Sequence, residues 1–254
     1  MSESHLREKM ETVLFIRSGS LDRSRTRVGS FLISFSIFHT ALPKCDRVMD
    51  VSFLLDSSES VGLQNYQKLL DFVRKVAKTL RMSKSGTHAS VVIFSDTARV
   101  QIGLDDHDDI REFNKALDDV PYLGKKTRID KALQVASVGV FNSRAGMRAG
   151  VRRVAVLMTE GHQTRTFDAI PLRYAVEPLR RKRVDVFTVG IGSDARYDEL
   201  RSLTNSDQKV LLVKTFEGLS RIAEELSDKM CRGMYRNVLR ESQIKMTGGI
   251  HRTF

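Results

Sequence analysis

Asp56, Ser58 and Ser60 occupy alternate positions of the stretch DSSES, which directly follows the apolar run VMDVSFLLD. A carboxylate and two hydroxyls spaced this way present oxygen acceptors and no softer ligand. Thr127 in GKKT and Glu160 in MTEG add a third hydroxyl and a second carboxylate. An all-oxygen set of this kind suits a hard divalent cation, Mg2+ foremost and Mn2+ as the alternative, because such ions prefer oxygens and keep several waters. The two serines also have a plainer use, as caps of the helix that begins near Leu63.

For these groups to act together, the strands that carry them must deliver their carboxyl ends to one edge of a sheet. From Val48 onward, apolar strands alternate with amphipathic segments, the pattern of a parallel sheet covered by helices on both faces. VMDVSFLLD, RRVAVLMTEG, VDVFTVGIG and KVLLVK read as strands. LQNYQKLLDFVRKVAKTL places Leu63, Tyr66, Leu69, Leu70, Val73, Val76, Ala77 and Leu80 at helical spacing. DDHDDIREFNKALDDV begins with helix-starting acids. IDKALQVASVGVF, FDAIPLRYAVEPLRRK, DARYDELRSL and TFEGLSRIAEELSDKM read as further helices, the last with Leu219, Ile222, Ala223 and Leu226 as its apolar stripe. Pro171 and Pro178 should break or kink the second of these. HASVVIFSD and ARVQIGL are too close together for a parallel crossover, so they should form an antiparallel hairpin at one edge. The expected fold is therefore α/β, a doubly wound and mostly parallel sheet with one antiparallel edge strand. At 254 residues the chain can bury one sizeable core.

The pattern Asp-x-Ser-x-Ser, a later loop threonine and a carboxylate before glycine resembles the metal-ion-dependent adhesion site of von Willebrand factor A domains. The resemblance covers Cys45 to Cys231 and extends to VVIFSDTARV, TRIDKALQVA, VDVFTVGIG and the closing helix. CDRVMDVSFLLDSSESVG and FEGLSRIAEELSDKMC look most like the A domains of collagen type VI and related matrix proteins. The resemblance implies that both serines ligate the metal directly, that Asp56, Thr127 and the last acid act directly or through water, and that a partner's acidic side chain takes the open position. It also implies a secreted adhesion module whose partners are matrix proteins such as collagens, or cell-surface receptors. One position departs from the pattern: the family's last acid is normally aspartate, and here it is Glu160. Cys45 and Cys231 bracket the domain and are expected to be joined, since the start of the first strand and the end of the closing helix should meet at one pole. The same bracketing sets out three regions: an extension over residues 1–44, the A domain over 45–231, and a basic tail over 232–254 that is expected to lack fixed structure.

Charge narrows the choice of partner. Of the formal +11, residues before Cys45 carry +3 and those after Cys231 carry +4, which leaves +4 between them. Two basic groups lie inside the domain: Arg144, Arg148, Arg152 and Arg153, then Arg173 with Arg180, Arg181, Lys182 and Arg183. They read either as solvated faces or as a patch for acidic polysaccharide, such as a glycosaminoglycan, or for acidic protein. No regular interleaving of aromatic residues accompanies them, which argues against nucleic acid. No run of about 20 apolar residues exists to span a membrane. VGSFLISFSIFHTAL, residues 28–42, has the length of a signal-peptide core behind a charged leader.

Two competing functions have weaker support. GIGSDA, from Gly190 to Ala195, satisfies a dinucleotide fingerprint, but it follows a late strand and precedes a short helix. The six histidines are scattered, and only His162 falls near the candidate site. An A domain serving as an intracellular assembly scaffold is the more serious alternative, and the state of the two cysteines discriminates.

Overall fold

The computed structural model describes Cys45 and residues 47–232. The apolar stretch 28–42, the rest of the N-terminal extension and the tail beyond Arg232 lie outside the described residues. Among those described, six strands form one sheet: β1 (Met49–Asp56), β2 (His88–Phe94), β3 (Ala98–Ile102), β4 (Arg152–Thr159), β5 (Val184–Ile191) and β6 (Val210–Val213). Their spatial order is β3-β2-β1-β4-β5-β6. All neighbours pair in parallel except β2 and β3, whose short link at Ser95 to Thr97 permits only a hairpin. Strand β1 is buried at every residue, as a central strand covered on both faces must be.

The period-2 alternation of side chains divides the core into two layers. Phe53 and Leu55 face one layer with Tyr66, Leu69, Phe72 and Val76 of α1 (Leu63–Thr79), Phe113 of α2 (Ile110–Asp118) and Leu226 of α7 (Leu219–Arg232). Leu54 and Phe94 face the other, with Leu133 of α3 (Ile129–Val135), Leu172 of α4 (Leu172–Ala175), Leu179 of α5 (Glu177–Arg181) and Leu200 of α6 (Tyr197–Leu203). The doubly wound expectation is met.

Several local expectations are corrected. Leu63 is exposed, and the buried stripe of α1 begins a turn later at Tyr66. The helix expected over 129–141 is α-helical only to Val135 and then widens into a π-helical turn, Ala136–Val140. The break expected at the prolines of segment 167–182 is present. Phe167 is fully exposed, and the helical part is two short pieces, with Pro171 capping the first and Pro178 in the first turn of the second. Helix α7 runs to Arg232, one residue into the expected tail.

The arginines of the first basic group are mostly internal. Arg148 pairs with the fully buried Asp50, its Nη2 lying 2.6 Å from Oδ1, and also donates to the carbonyls of Gly86 and Met49. Arg152 pairs with Asp185 at 2.8 Å and reaches the carbonyl of Met230. These groups anchor the amino ends of β1 and β4, so they form neither a solvated face nor an open patch. At the same end Cys45 and Cys231 are joined, with Cα atoms 5.7 Å apart.

Candidate metal centre

Strand β1 runs on into α1 and then β2 on one side, whereas its other neighbour, β4, arrives later in the chain. The gap between the carboxyl ends of β1 and β4 is thus the point where the winding reverses, the place where open α/β sheets hold ligands. Asp56 ends β1, and Thr159 and Glu160 end β4.

The register pairs Leu55 with Met158, which brings the next residues, Asp56 and Thr159, side by side. The Thr159 hydroxyl donates to Asp56 Oδ2 at 2.5 Å. Asp56 Oδ1 accepts the backbone N–H of Ser58 at 3.0 Å, and this turn directs the serine hydroxyls forward. Ser58 Oγ lies 3.3 Å from Ser60 Oγ. The helix that follows starts from Gly62, at φ 71°, with no side-chain cap. Neither serine caps α1, so the plainer use of these hydroxyls is set aside.

The third loop is sewn to the first. Gly124 N–H donates to the carbonyl of Ser57 at 2.8 Å, Glu59 N–H to that of Lys125 at 2.8 Å, and Leu123 N–H to Ser57 Oγ at 2.7 Å. The Tyr122 hydroxyl donates to the carbonyl of Ser58 at 3.0 Å. Thr127, two residues beyond Lys125, is buried and bonded to Thr164 both ways. Its N–H reaches Thr164 Oγ1 at 3.2 Å, and its carbonyl accepts Thr164 N–H at 2.8 Å.

Beneath this loop lies a charge cluster, buried at Arg128 and Asp130 and exposed at Asp168. Arg128 makes a two-pronged pair with Asp130, both bonds at 2.9 Å, and a second with Asp168, both at 3.0 Å. Asp130 Oδ2 also accepts Ile170 N–H at 3.0 Å. The cluster ties the start of α3 to the loop after β4, and so fixes Thr127 against Thr164. Arg-x-Asp at a helix start is the only local trace of it, since Asp168 is 40 residues away. Tyr122 left no trace at all.

Burial pushes the Asp56 carboxyl up to about 6 against the hydrogen bonds of Ser58 and Thr159, and the neighbouring Glu160 carboxylate adds to the rise. A buried carboxylate beside a second one, edged by two hydroxyls not used as caps, is a place of negative potential with oxygen donors only. Among the described residues no three His, Cys, Asp or Glu side chains gather as a cage. Here the set has two carboxylates, Asp56 and Glu160, and the hydroxyls of Ser58, Ser60 and Thr127 are the other candidate donors, a composition that fits Mg2+ or Mn2+.

The other candidate residues lie elsewhere. In the basic run after α4, Arg180 pairs with Glu177 at 2.6 Å, and Lys182 turns inward to the carbonyls of Ser137 and Phe141. Arg181 and Arg183 are exposed. Gly190 of GIGSDA is needed for packing: a Cβ there would lie 2.6 Å from Leu200 Cδ1 and 2.7 Å from Leu212 Cδ2. The helix that follows, α6, has seven residues, too few for a phosphate-binding turn of the dinucleotide kind. His162 is exposed on the loop after Glu160. Among the described residues no helix is long and apolar enough to cross a membrane.

The chain is 24% identical to cuticlin-6 of Caenorhabditis elegans over 217 residues, covering 84% of this chain and 36% of that one. It is 28% identical to the collagen alpha-6(VI) chain of Mus musculus over 201 residues, covering 78% of this chain and 9% of that one. Proximal thread matrix protein 1 from the mussel byssus, solved with a zinc-occupied MIDAS motif, superposes with a TM-score of 0.67 at 27% identity. That match covers 74% of this chain and 47% of the mussel protein. The chain therefore spans about a third or less of the first two relatives and about half of the third. The family model of the von Willebrand factor type A domain matches residues 50–225, which include both carboxylates and all three hydroxyls of the candidate site, and the chain belongs to that family.

Proposed function

We propose that the domain is an extracellular-matrix binding module that engages a protein partner through a divalent cation held by Asp56, Ser58, Ser60, Thr127 and Glu160. The observation that carries this reading is the pair of serine hydroxyls, 3.3 Å apart beside a buried aspartate and not used to cap α1. When bound, Mg2+ or Mn2+ supplies a positive centre with an open position for an acidic side chain of the partner. The protein's own part is to hold the loops: Thr159 and Ser58 N–H orient Asp56, and Tyr122 fixes the serine loop. The zinc-occupied motif of the mussel protein supports a cation, and kinship with collagen, cuticlin and thread matrix chains supports a matrix partner. The Cys45–Cys231 bond favours an oxidising compartment over an intracellular scaffold.

Glu160 weakens the site in this reading. Its extra methylene displaces the carboxylate by about 1.5 Å, and Mg2+ tolerates little departure from an octahedron at about 2.0–2.1 Å. Calorimetry with Mg2+ and Mn2+ on wild type, Asp56→Ala and Glu160→Asp tests this. Weak binding is expected in wild type, none in Asp56→Ala and tighter binding in Glu160→Asp. Absence of heat in all three proteins would overturn the proposal.

A further inference from the structure

A cleft of about 390 Å³ opens between the loop after β4 and helix α6. Its cationic lining is Arg165, Arg173 and Arg196 with His162, and its one carboxylate, Glu199, already accepts the N–H of Gln163 at 3.2 Å. All three arginines are exposed, and none forms an ion pair with any described residue. Arg173 lies over the ring of Tyr174, its guanidinium carbon 4.7 Å from the centroid, which limits the conformations it must give up on binding. Phe167 and Ile170 are exposed on the same loop, as is Tyr174 on the helix that follows it. Phe167 has no neighbour to cover it: its relative exposure is 106%. Aromatic rings and arginines together are the residues most enriched where proteins bind proteins.

We infer that this cleft is a second, cation-independent anchor that takes an acidic protein segment, with its carboxylates among the three arginines and an apolar side chain on Phe167 and Tyr174. Charge complementarity sets the sign of the partner. The exposed rings of Phe167 and Tyr174, each next in sequence to a lining residue, select a polypeptide over a sulfated polysaccharide, because a polysaccharide has little apolar surface to remove from water against them. Position ties the cleft to the site above: Thr164 lines it and is bonded in both directions to Thr127. A segment whose acidic residue reached the cation would have its next residues beside these arginines.

Fluorescence anisotropy of the full disulfide-bonded chain, in excess chelator and at low ionic strength, separates this anchor from the cation. The probes are labelled poly-glutamate, labelled glutamate–tyrosine copolymer and a labelled heparin fragment. Wild type should bind both polypeptides, the copolymer more tightly. Arg165→Ala/Arg173→Ala/Arg196→Ala should lose about tenfold or more in affinity. A control that removes three exposed charges elsewhere, Lys75→Ala/Lys78→Ala/Lys84→Ala, should stay within about twofold. Phe167→Ser/Tyr174→Ser should erase the preference for the copolymer. The inference is overturned if wild type binds neither polypeptide, if the two triple variants lose affinity equally, if no copolymer preference exists, or if the cleft arginines serve heparin better than either polypeptide. Because chelator is present throughout, none of these results bears on whether Asp56 and the serines hold a metal.

Discussion

Replacing Arg128 by methionine removes the centre of the cluster under the candidate metal loops while keeping most of the side-chain volume. The Arg128 side chain is 6% exposed and that of Asp130 2%, so the variant strands a buried carboxylate with the Ile170 N–H as its remaining cross-loop donor. Breaking a buried pair from one side costs about 3–5 kcal/mol. For a domain of this size that is a fall in Tm of roughly 6–20 °C. Asp130→Asn should cost less, about 1–3 kcal/mol, because Arg128 keeps both bonds to Asp168. The double variant no longer holds an uncompensated charge, so its cost should fall below the sum of the singles by at least about 1 kcal/mol. Urea unfolding of the four proteins at neutral pH measures the cycle, with the m-value showing whether unfolding stays two-state. A cost for Arg128→Met under about 1 kcal/mol, or an additive cycle, would refute the claim that the cluster holds the loop after β4 to α3.

Removing the disulfide with Cys45→Ser/Cys231→Ser opens a loop that spans a sequence separation of 186, and the chain-entropy model puts the loss at about 5 kcal/mol, read as a lower urea midpoint. Asp185 gives a pH signature. Burial would raise its carboxyl, but Lys209 at 2.6 Å and Arg152 hold it below the usual range. A carboxyl lowered on folding adds stability that is complete above its unfolded value of about 4 and is lost as pH falls through the folded value. The stability gap between wild type and Asp185→Asn should accordingly be flat near neutrality and close as the pH drops below about 4 in unfolding titrations; a gap that widens there contradicts the pairing. Gly190→Ala should cost about 1–3 kcal/mol by forcing Leu200 and Leu212 aside, seen as a lower Tm, while a neutral result would mean that α6 moves freely on the sheet.

Much of this molecule is legible along the chain because its signals are local. Strand β1 announces itself as a mostly apolar run, the hairpin of β2 and β3 by the shortness of its link, and Asp56, Ser58 and Ser60 by alternate spacing at a strand's end. What the sequence hid depends on partners far away in it. Arg148 and Arg152 read as surface charge because their partners, Asp50 and Asp185, lie 98 and 33 residues off. Lys182 looked like part of a patch, yet it satisfies carbonyls within and just after a π-helical turn, 45 and 41 residues earlier. That turn brings Gly139 against the edge strand, where a Cβ would sit 3.0 Å from Val100, a closeness no periodicity reveals. The cleft lined by Arg165, Arg173 and Arg196 draws its residues from two segments separated by a whole strand.

The bond between Cys45 and Cys231 also decides how the domain answers to pulling. Tension entering the chain just before β1 and leaving just after α7 crosses from one cysteine to the other over a Cα separation of 5.7 Å, without passing through the sheet. Unfolded and drawn straight, the intervening polypeptide would add roughly 600 Å of length. With the bond intact, that length is withheld even if the fold melts, and the loops of the candidate metal site, which lie at the far ends of the strands, feel no stretch. Reduction of a single covalent bond would convert an almost inextensible knot in a thread into a long, compliant tether, so the redox state of two sulfur atoms sets the elasticity of any filament in which this domain is strung.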